Sequence, residues 1–128
     1  MTAALLVDSN VLIDALRHDQ KAQQFLRDYV DDILLSVITL AELFAGVRNR
    51  KEEKILRDWV SLFPKTGISE AIAERAGVYR YRYGKSHNMG MVDAIIAATV
   101  EVEGARLVTL NKKHFPMIKD VWVPYKKA

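Results

Sequence analysis

Four side chains stand at positions where their chemistry is unusual for the surrounding sequence. Three are carboxylates and one is an amide: Asp8, Glu42, Asp93 and Asn111. Like charges that are held close together repel each other unless a cation neutralises them. Mg²⁺ or Mn²⁺ suits such a group, because hard cations take oxygen ligands and often keep several waters. Such a cation can orient a phosphodiester and activate water, so these residues predict a metal-dependent phosphate-ester enzyme without choosing RNA.

Each of these residues also has a purely structural interpretation. Asp8 can cap a helix, and Asn111 can be an ordinary turn residue. Glu42 can lie on the solvated face of its helix. Asp93 can be a first-turn acid that the helix dipole stabilises. The dipole does not account for the almost wholly apolar sequence around Asp93, from Gly90 to Val100.

Short apolar runs alternate with helical patterns along the chain. The strand-like runs are 3–7, 33–36, 106–110 and 121–123, and the helical patterns are 11–16, 19–30, 39–47, 51–63, 70–83 and 92–103. This alternation predicts an α/β fold with a small parallel sheet and helices on both faces. Functional sites in such folds form beyond the carboxyl ends of the strands, where Asp8 and Asn111 fall.

Composition excludes several classes of protein. The 128 residues are 50% hydrophobic, which predicts one folded domain over 1–128 and excludes disorder as the main state. There are no cysteines and three histidines, which excludes a disulfide scaffold and argues against structural zinc. The longest weakly charged stretch, 33–47, is too short to cross a bilayer, so no membrane contact is expected. No basic segment precedes the first apolar run, so we predict a cytoplasmic protein.

Charge is distributed unevenly along the chain. The first 47 residues contain three basic and seven acidic side chains, whereas residues 48–128 contain 16 basic and nine acidic side chains. A basic second half is compatible with a polyanionic partner, and equally with solvated helical surfaces.

At these residues the sequence resembles the PIN-domain ribonucleases, and specifically the VapC-type toxins of bacterial and archaeal toxin–antitoxin pairs. Four segments carry the resemblance in the family's order and spacing: 6–13 (LVDSNVLI), 36–43 (SVITLAEL), 92–99 (VDAIIAAT) and 107–115 (LVTLNKKHF). The resemblance implies a PIN-like three-layer α/β/α sandwich with a small central parallel sheet. It also implies Mg²⁺ or Mn²⁺ and endonucleolytic cleavage of RNA.

The resemblance also assigns roles to the site residues. Asp8, Glu42 and Asp93 form the acidic core, in which Asp8 and Asp93 hold the ion and Glu42 positions or deprotonates the attacking water. Asn111 falls where many relatives carry a fourth Asp, and its uncharged amide favours one tightly held ion over two. The expected supporting residues are Ser9, Asn10 and Thr109.

Basic side chains close to these segments are candidate contacts for the RNA backbone. They are Arg80, Arg82, Lys85, Lys112 and Lys113, and the alternative for each is a solvated helix face. The resemblance further implies a homodimer and a small cognate antitoxin. The apolar helix faces between Leu40 and Phe63 could supply a groove for a helix of that partner.

Three other interpretations are weaker. A phosphatase of the haloacid dehalogenase type would have a second Asp two residues after Asp8, where this chain has Asn10. A response-regulator receiver would have an Asp ending a central strand, but Asp58 lies in a helical pattern. A catalytically weak PIN-fold interaction module is the non-enzymatic alternative, because Asn111 carries no charge. Binding of Mn²⁺ would distinguish it from the enzyme.

Overall fold

A parallel five-stranded sheet forms the centre of the computed structural model, which describes residues 3–127. The strands are β1 (Leu5–Val7), β2 (Ile33–Ser36), β3 (Lys65–Thr66), β4 (Arg106–Val108) and β5 (Val121–Trp122). Their order across the sheet is β3-β2-β1-β4-β5, and all neighbours are parallel. In the register of the sheet, Leu6 of β1 lies between Leu34 and Leu107. The carboxyl end of β1 is therefore flanked by the carboxyl ends of β2 and β4.

Six α-helices surround the sheet. They are α1 (Ser9–Leu16), α2 (Gln20–Asp28), α3 (Val37–Ala45), α4 (Arg50–Val60), α5 (Glu70–Tyr83) and α6 (Met91–Glu103). Two short 3-10 helices cover Val30–Asp32 and Lys112–His114. No helix within residues 3–127 is long and apolar enough to cross a membrane.

The sheet has a hydrophobic core on each face, because alternate strand residues point to opposite sides. Leu5 and Val7 belong to the cluster that also contains apolar residues of α1, α2, α3 and α4. Leu6 and Leu107 belong to a second cluster, together with residues of α5 and α6. The three-layer α/β/α sandwich expected from the sequence is confirmed.

The buried face of helix α6 contains several small side chains, which allow the helix to pack closely against its neighbours. Ala94, Ala97 and Ala98 are fully buried there. The helix ends at Gly104, which has a φ of 66° and adopts the left-handed conformation that glycine tolerates best. This close packing holds the first turn of α6, and with it Asp93, near the carboxyl end of β1.

Several element boundaries differ from the sequence expectation. Helix α3 begins at Val37 rather than at residue 39, because the Ser36 hydroxyl accepts the Ile38 backbone N–H at 3.2 Å and caps the helix. Strand β4 stops at Val108 rather than at residue 110. Beyond it the Thr109 side chain accepts the Asn111 backbone N–H at 3.1 Å, which turns the chain. Strand β3 was not expected, since two residues carry no strand pattern.

The last described residues contact α1 through the buried carboxylate of Asp14. Asp14 accepts a hydrogen bond from the Tyr125 hydroxyl at 2.7 Å and forms an ion pair with Lys127 at 2.9 Å. Hydrogen bonding to Asp14 and burial both raise the pKa of Tyr125, burial having the larger effect. Asp14 therefore has a structural partner, which separates it from the acids near β1.

We predict that Leu107→Ala destabilises the protein by about 2–5 kcal/mol, because a fully buried side chain of β4 leaves a cavity. The matched control is Leu62→Ala, which removes a leucine side chain that is 73% exposed and should cost less than about 0.5 kcal/mol. Urea denaturation measures both. Equal effects of the two substitutions would contradict the placement of Leu107 in the core.

Candidate active site

Asp8 follows β1 and is 5% exposed. Its Oδ1 accepts the Ser9 backbone N–H at 2.8 Å, and its Oδ2 accepts the Thr109 hydroxyl at 2.8 Å. Its own backbone N–H donates to the Val108 carbonyl at 2.9 Å, which extends the β1–β4 pairing by one bond. Both carboxylate oxygens are therefore fixed at the end of the central strand.

Thr109 is a fully buried hub beside Asp8. Its Oγ1 accepts two N–H groups, from the Asn10 side chain and the Asn111 backbone, each at 3.1 Å. A hydroxyl has one hydrogen and two acceptor lone pairs, so the remaining hydrogen must go to Asp8. Asn10 also accepts the Leu110 backbone N–H at 3.3 Å, so its amide links α1 to the segment after β4.

Glu42 and Asp93 approach from two helices. Glu42 lies on α3 and is half-buried, and its Oε1 is inaccessible to solvent with no hydrogen-bond partner among residues 3–127. Asp93 lies in the first turn of α6, with a side chain that is 25% exposed. An unpartnered buried carboxylate oxygen is costly, so its presence favours a functional role for Glu42.

The three carboxylates influence one another electrostatically. Burial raises the pKa of Asp8 to about 6, and the charges of Asp93 and Glu42 add to the rise, while hydrogen bonds from Thr109 and Ser9 oppose it. Burial also raises the pKa of Glu42; the charge of Asp93 adds to this effect, and the Ser9 side chain opposes it. Asp8, Glu42 and Asp93 thus form one mutually repelling cluster of the kind that a cation stabilises.

The donor set fits a hard cation that keeps most of its waters. Within residues 3–127 no group of three or more His, Asp or Glu side chains is close enough to enclose a metal. Mg²⁺ is usually bound through one or two carboxylates together with water and substrate phosphate, rather than by an all-protein cage. Asp8 and Asp93 can supply those carboxylates, and the half-buried Glu42 side chain can accept a proton from a water.

Asn111 lies at the same edge of the sheet as Asp8, but its side chain is exposed. Within the described chain its amide makes no hydrogen bond, and its contact with the site is through its backbone N–H. Its expected role in place of a fourth acid therefore stays a prediction.

His114 is a neighbour of the site that the sequence did not indicate. Its Nδ1 lies 3.2 Å from Asp93 Oδ2. The residue belongs to the segment that follows β4. Its place three positions after Asn111 is the one sequence feature that could have indicated that it lies near the site. The contact of His114 with Asp93 joins two separate parts of the sequence, so it can be identified only from the fold.

The basic side chains line two open clefts. Lys112 and Lys113 line an open cleft of about 900 Å³ together with His87 and His114. A second cleft, of about 760 Å³, contains the other three candidates and reaches Met91 at the start of α6; they are Arg80, Arg82 and Lys85. The first cleft contains His114, which contacts Asp93, and the second reaches the start of α6. Contact of either group with RNA stays a prediction.

Comparison with known proteins identifies the family of the chain. The family model described as "PIN domain" matches residues 5–120. Ribonuclease VapC10 of Mycobacterium tuberculosis is 40% identical over 124 residues, which cover 94% of this chain and 92% of that protein. Ribonuclease VapC19 of the same organism is 36% identical, over 94% of this chain and 98% of the relative.

Solved structures give the same result for the fold. A toxin–antitoxin complex from Klebsiella pneumoniae contains a chain that is 32% identical, with a TM-score of 0.83 over 97% of this chain and 100% of the other. A chain in the crystal structure of FitAcB from Neisseria gonorrhoeae is 26% identical in sequence, with a TM-score of 0.74 over 94% of this chain and 97% of the other. The chain therefore belongs to the PIN domain family, and within it to the VapC type.

Proposed function

We propose that this protein is an endoribonuclease that depends on Mg²⁺ or Mn²⁺ and acts as the toxin of a toxin–antitoxin pair in the cytoplasm. The observation that carries the proposal is the buried Asp8 carboxylate, surrounded by the charges of Glu42 and Asp93. The names of the relatives, ribonucleases VapC10 and VapC19, support RNA as the substrate.

Each acid has a distinct task in the proposed reaction. Asp8 and Asp93 would hold the divalent cation, and Thr109 and Ser9 keep Asp8 in place for it. When bound, the cation supplies polarisation of water and stabilisation of the charge that develops on the phosphate. Glu42 orients the attacking water and takes its proton, for which its half-buried side chain and its raised pKa are suited.

The proposed scheme specifies the ends of the product. Water attacks phosphorus, Glu42 takes the proton of the water, the bond between phosphorus and the 3′ oxygen breaks, and the leaving 3′ oxygen takes a proton from solvent. The products are a 5′-phosphate and a 3′-hydroxyl. A cyclic-phosphate end would instead indicate attack by the RNA 2′-hydroxyl and would contradict this scheme.

The partner of the toxin would be a small antitoxin. A solved relative that is 32% identical comes from a toxin–antitoxin complex, which supports such a partner. On this chain, α3 and α4 leave apolar side chains exposed at Val37 and Ile55, and Leu62 follows α4 with most of its surface in solvent. A helix of the antitoxin with an apolar face fits that surface. A homodimer of the toxin is also part of the proposal.

We predict that the purified chain cleaves RNA from a pool of tRNA and rRNA in Mn²⁺ and not in EDTA. Asp93→Asn should lower the rate by about 100-fold or more, because a carboxylate that holds the cation is lost. The matched control is Asp31→Asn, which changes an exposed acid near the start of β2 and should leave the rate unchanged. Gel electrophoresis of the fragments measures the rate.

Cleavage that persists in EDTA would refute the metal dependence. Binding of neither Mn²⁺ nor RNA would instead favour the catalytically weak interaction module, for which the uncharged Asn111 is the one supporting feature.

The stability of the metal-free chain should fall as pH rises, whereas the stabilisation by Mn²⁺ should increase. The pKa of Asp8, about 6 in the folded chain, lies above its ordinary value of 3.8, so the folded chain binds more protons between these pH values. Metal-free stability should therefore fall as pH rises through this window, by up to about 3 kcal/mol at pH 7. Mn²⁺ needs the ionised carboxylate, so its stabilising effect should be large at pH 7.5 and small at pH 5.

Thermal unfolding at both pH values, with and without Mn²⁺, measures these effects. Asp8→Asn is the control and should show no gain from Mn²⁺ at either pH. An equal gain for the unmodified protein at pH 5 and pH 7.5 would contradict Asp8 as a ligand.

We predict that Arg80→Glu combined with Arg82→Glu weakens RNA binding and flattens its salt dependence. Losing two phosphate contacts on single-stranded RNA should reduce the slope of log K against log salt by roughly 1.4. The control is Lys21→Glu combined with Arg27→Glu on α2, which packs on the other face of the sheet and makes the same change in net charge. Binding in EDTA at several salt concentrations measures the slope. Equal slopes for the two double variants would exclude Arg80 and Arg82 as contacts.

A further inference from the structure

One short segment contacts both carboxylates that the proposed function assigns to the cation. At its start, the Thr109 hydroxyl donates to Asp8 Oδ2 at 2.8 Å. At its end, His114 Nδ1 lies 3.2 Å from Asp93 Oδ2. The segment therefore spans the distance between a strand end and a helix start that are far apart in sequence.

The backbone of this segment is held at several points. The Thr109 N–H donates to the Trp122 carbonyl at 3.1 Å, and the His114 N–H donates to the Asn111 carbonyl at 3.0 Å. Directly after His114, Phe115 is almost fully buried in the core beneath α5 and α6, and its N–H donates to the Lys112 carbonyl at 3.0 Å. The backbone at His114 is thus held by a buried anchor one residue away.

Asp93 has few other restraints. Among residues 3–127, His114 is the one basic side chain within ion-pair distance of its carboxylate. Helix α6 begins at Met91, and its N-cap residue Gly90 supplies no side-chain hydrogen bond to the first turn. The charges of Asp8 and Glu42 repel the carboxylate. Without His114, this repulsion would favour rotamers that turn Asp93 towards solvent.

We propose that His114 is a positioning residue whose Nδ1–H donates to Asp93 Oδ2 and holds this carboxylate in the rotamer that binds the divalent cation. The contact occupies Oδ2 and leaves Oδ1 free, in the way that metal-ligating carboxylates are commonly held by an outer hydrogen bond. The role rests on the proposed function, because it presumes that Asp93 is a ligand. His114 acts through Asp93 and has no part in bond breaking.

Contact with RNA is the competing role for this side chain. His114 also lines the cleft that contains Lys112 and Lys113, where a phosphate could reach it. The two roles differ in what they change: a positioning residue alters metal affinity in the absence of RNA, whereas a phosphate contact alters RNA affinity in the absence of metal.

Three substitutions distinguish the effect of the Nδ1–H donor of His114 from the effect of its ring. His114→Ala removes both, His114→Phe keeps a ring without a donor, and His114→Asn restores an amide N–H near the place of Nδ1. Affinity for Mn²⁺, measured by titration calorimetry without RNA, should fall about 10–100-fold in the Ala and Phe variants. The Asn variant should recover most of it. The His114 side chain is 36% exposed, so none of the three should lower the melting temperature appreciably.

The matched control is Lys112→Gln combined with Lys113→Gln in the same cleft. This variant should keep the affinity for Mn²⁺ and lose affinity for RNA in EDTA, which is the reverse of the pattern expected for His114→Ala. The EDTA measurement also prevents cleavage of the probe RNA.

Unchanged Mn²⁺ affinity in His114→Ala, or an Asn variant no better than the Ala variant, would overturn the proposal. Loss of RNA affinity in EDTA with Mn²⁺ affinity intact would assign His114 to the phosphate backbone instead. The unmodified chain distinguishes failure of the role of His114 from failure of the proposed function. If the unmodified chain binds Mn²⁺ and cleaves RNA, and His114→Ala does the same, only the role of His114 fails. If the unmodified chain binds no Mn²⁺, the proposed function fails with it.

Discussion

Asp8 is a carboxylate buried at the carboxyl end of the central strand, and the surrounding structure is arranged to keep it there. A buried carboxylate is unfavourable unless hydrogen bonds or a counter-charge stabilise it. Ser9 and Thr109 supply one hydrogen bond to each oxygen, which offsets part of the cost of burial. The remaining part appears as a pKa of about 6. A site that is electrostatically unsatisfied in this way gains stability when a divalent cation binds.

The helices that bring the other acids add to this cost. Small residues on the inner face of α6 let the helix approach the sheet, and this brings the charge of Asp93 close to Asp8. On α3, Glu42 keeps a buried oxygen without a partner among residues 3–127. Neither the charge of Asp93 near Asp8 nor the unpartnered Glu42 oxygen stabilises the folded chain. Strain of this kind is common where a protein trades stability for activity.

Alternating apolar runs and helical patterns predicted the parallel sheet and its two helical layers. The acids Asp8, Glu42 and Asp93 were predicted because each interrupts an apolar stretch, which can be recognised from the sequence alone. These patterns did not reveal how the acids are held. The hydrogen of the Thr109 hydroxyl points to Asp8 because two N–H groups occupy its lone pairs, and one of them comes from Asn10, which is distant in sequence. The contact of His114 with Asp93 depends in the same way on tertiary packing. Strand β3 was missed because a two-residue edge strand has no periodicity.

The order of the strands has a consequence for synthesis of the protein. Strand β1 is made first, yet it pairs with β4, and Asp8 is held by a residue 101 positions later in the chain. Pairings this distant in sequence form late in folding. A nascent chain on the ribosome therefore carries Asp8, Glu42 and even Asp93 without an assembled site until the segment containing Thr109 has emerged. The hydrogen bond that fixes Asp8 Oδ2 can therefore form only after most of the chain has been synthesised.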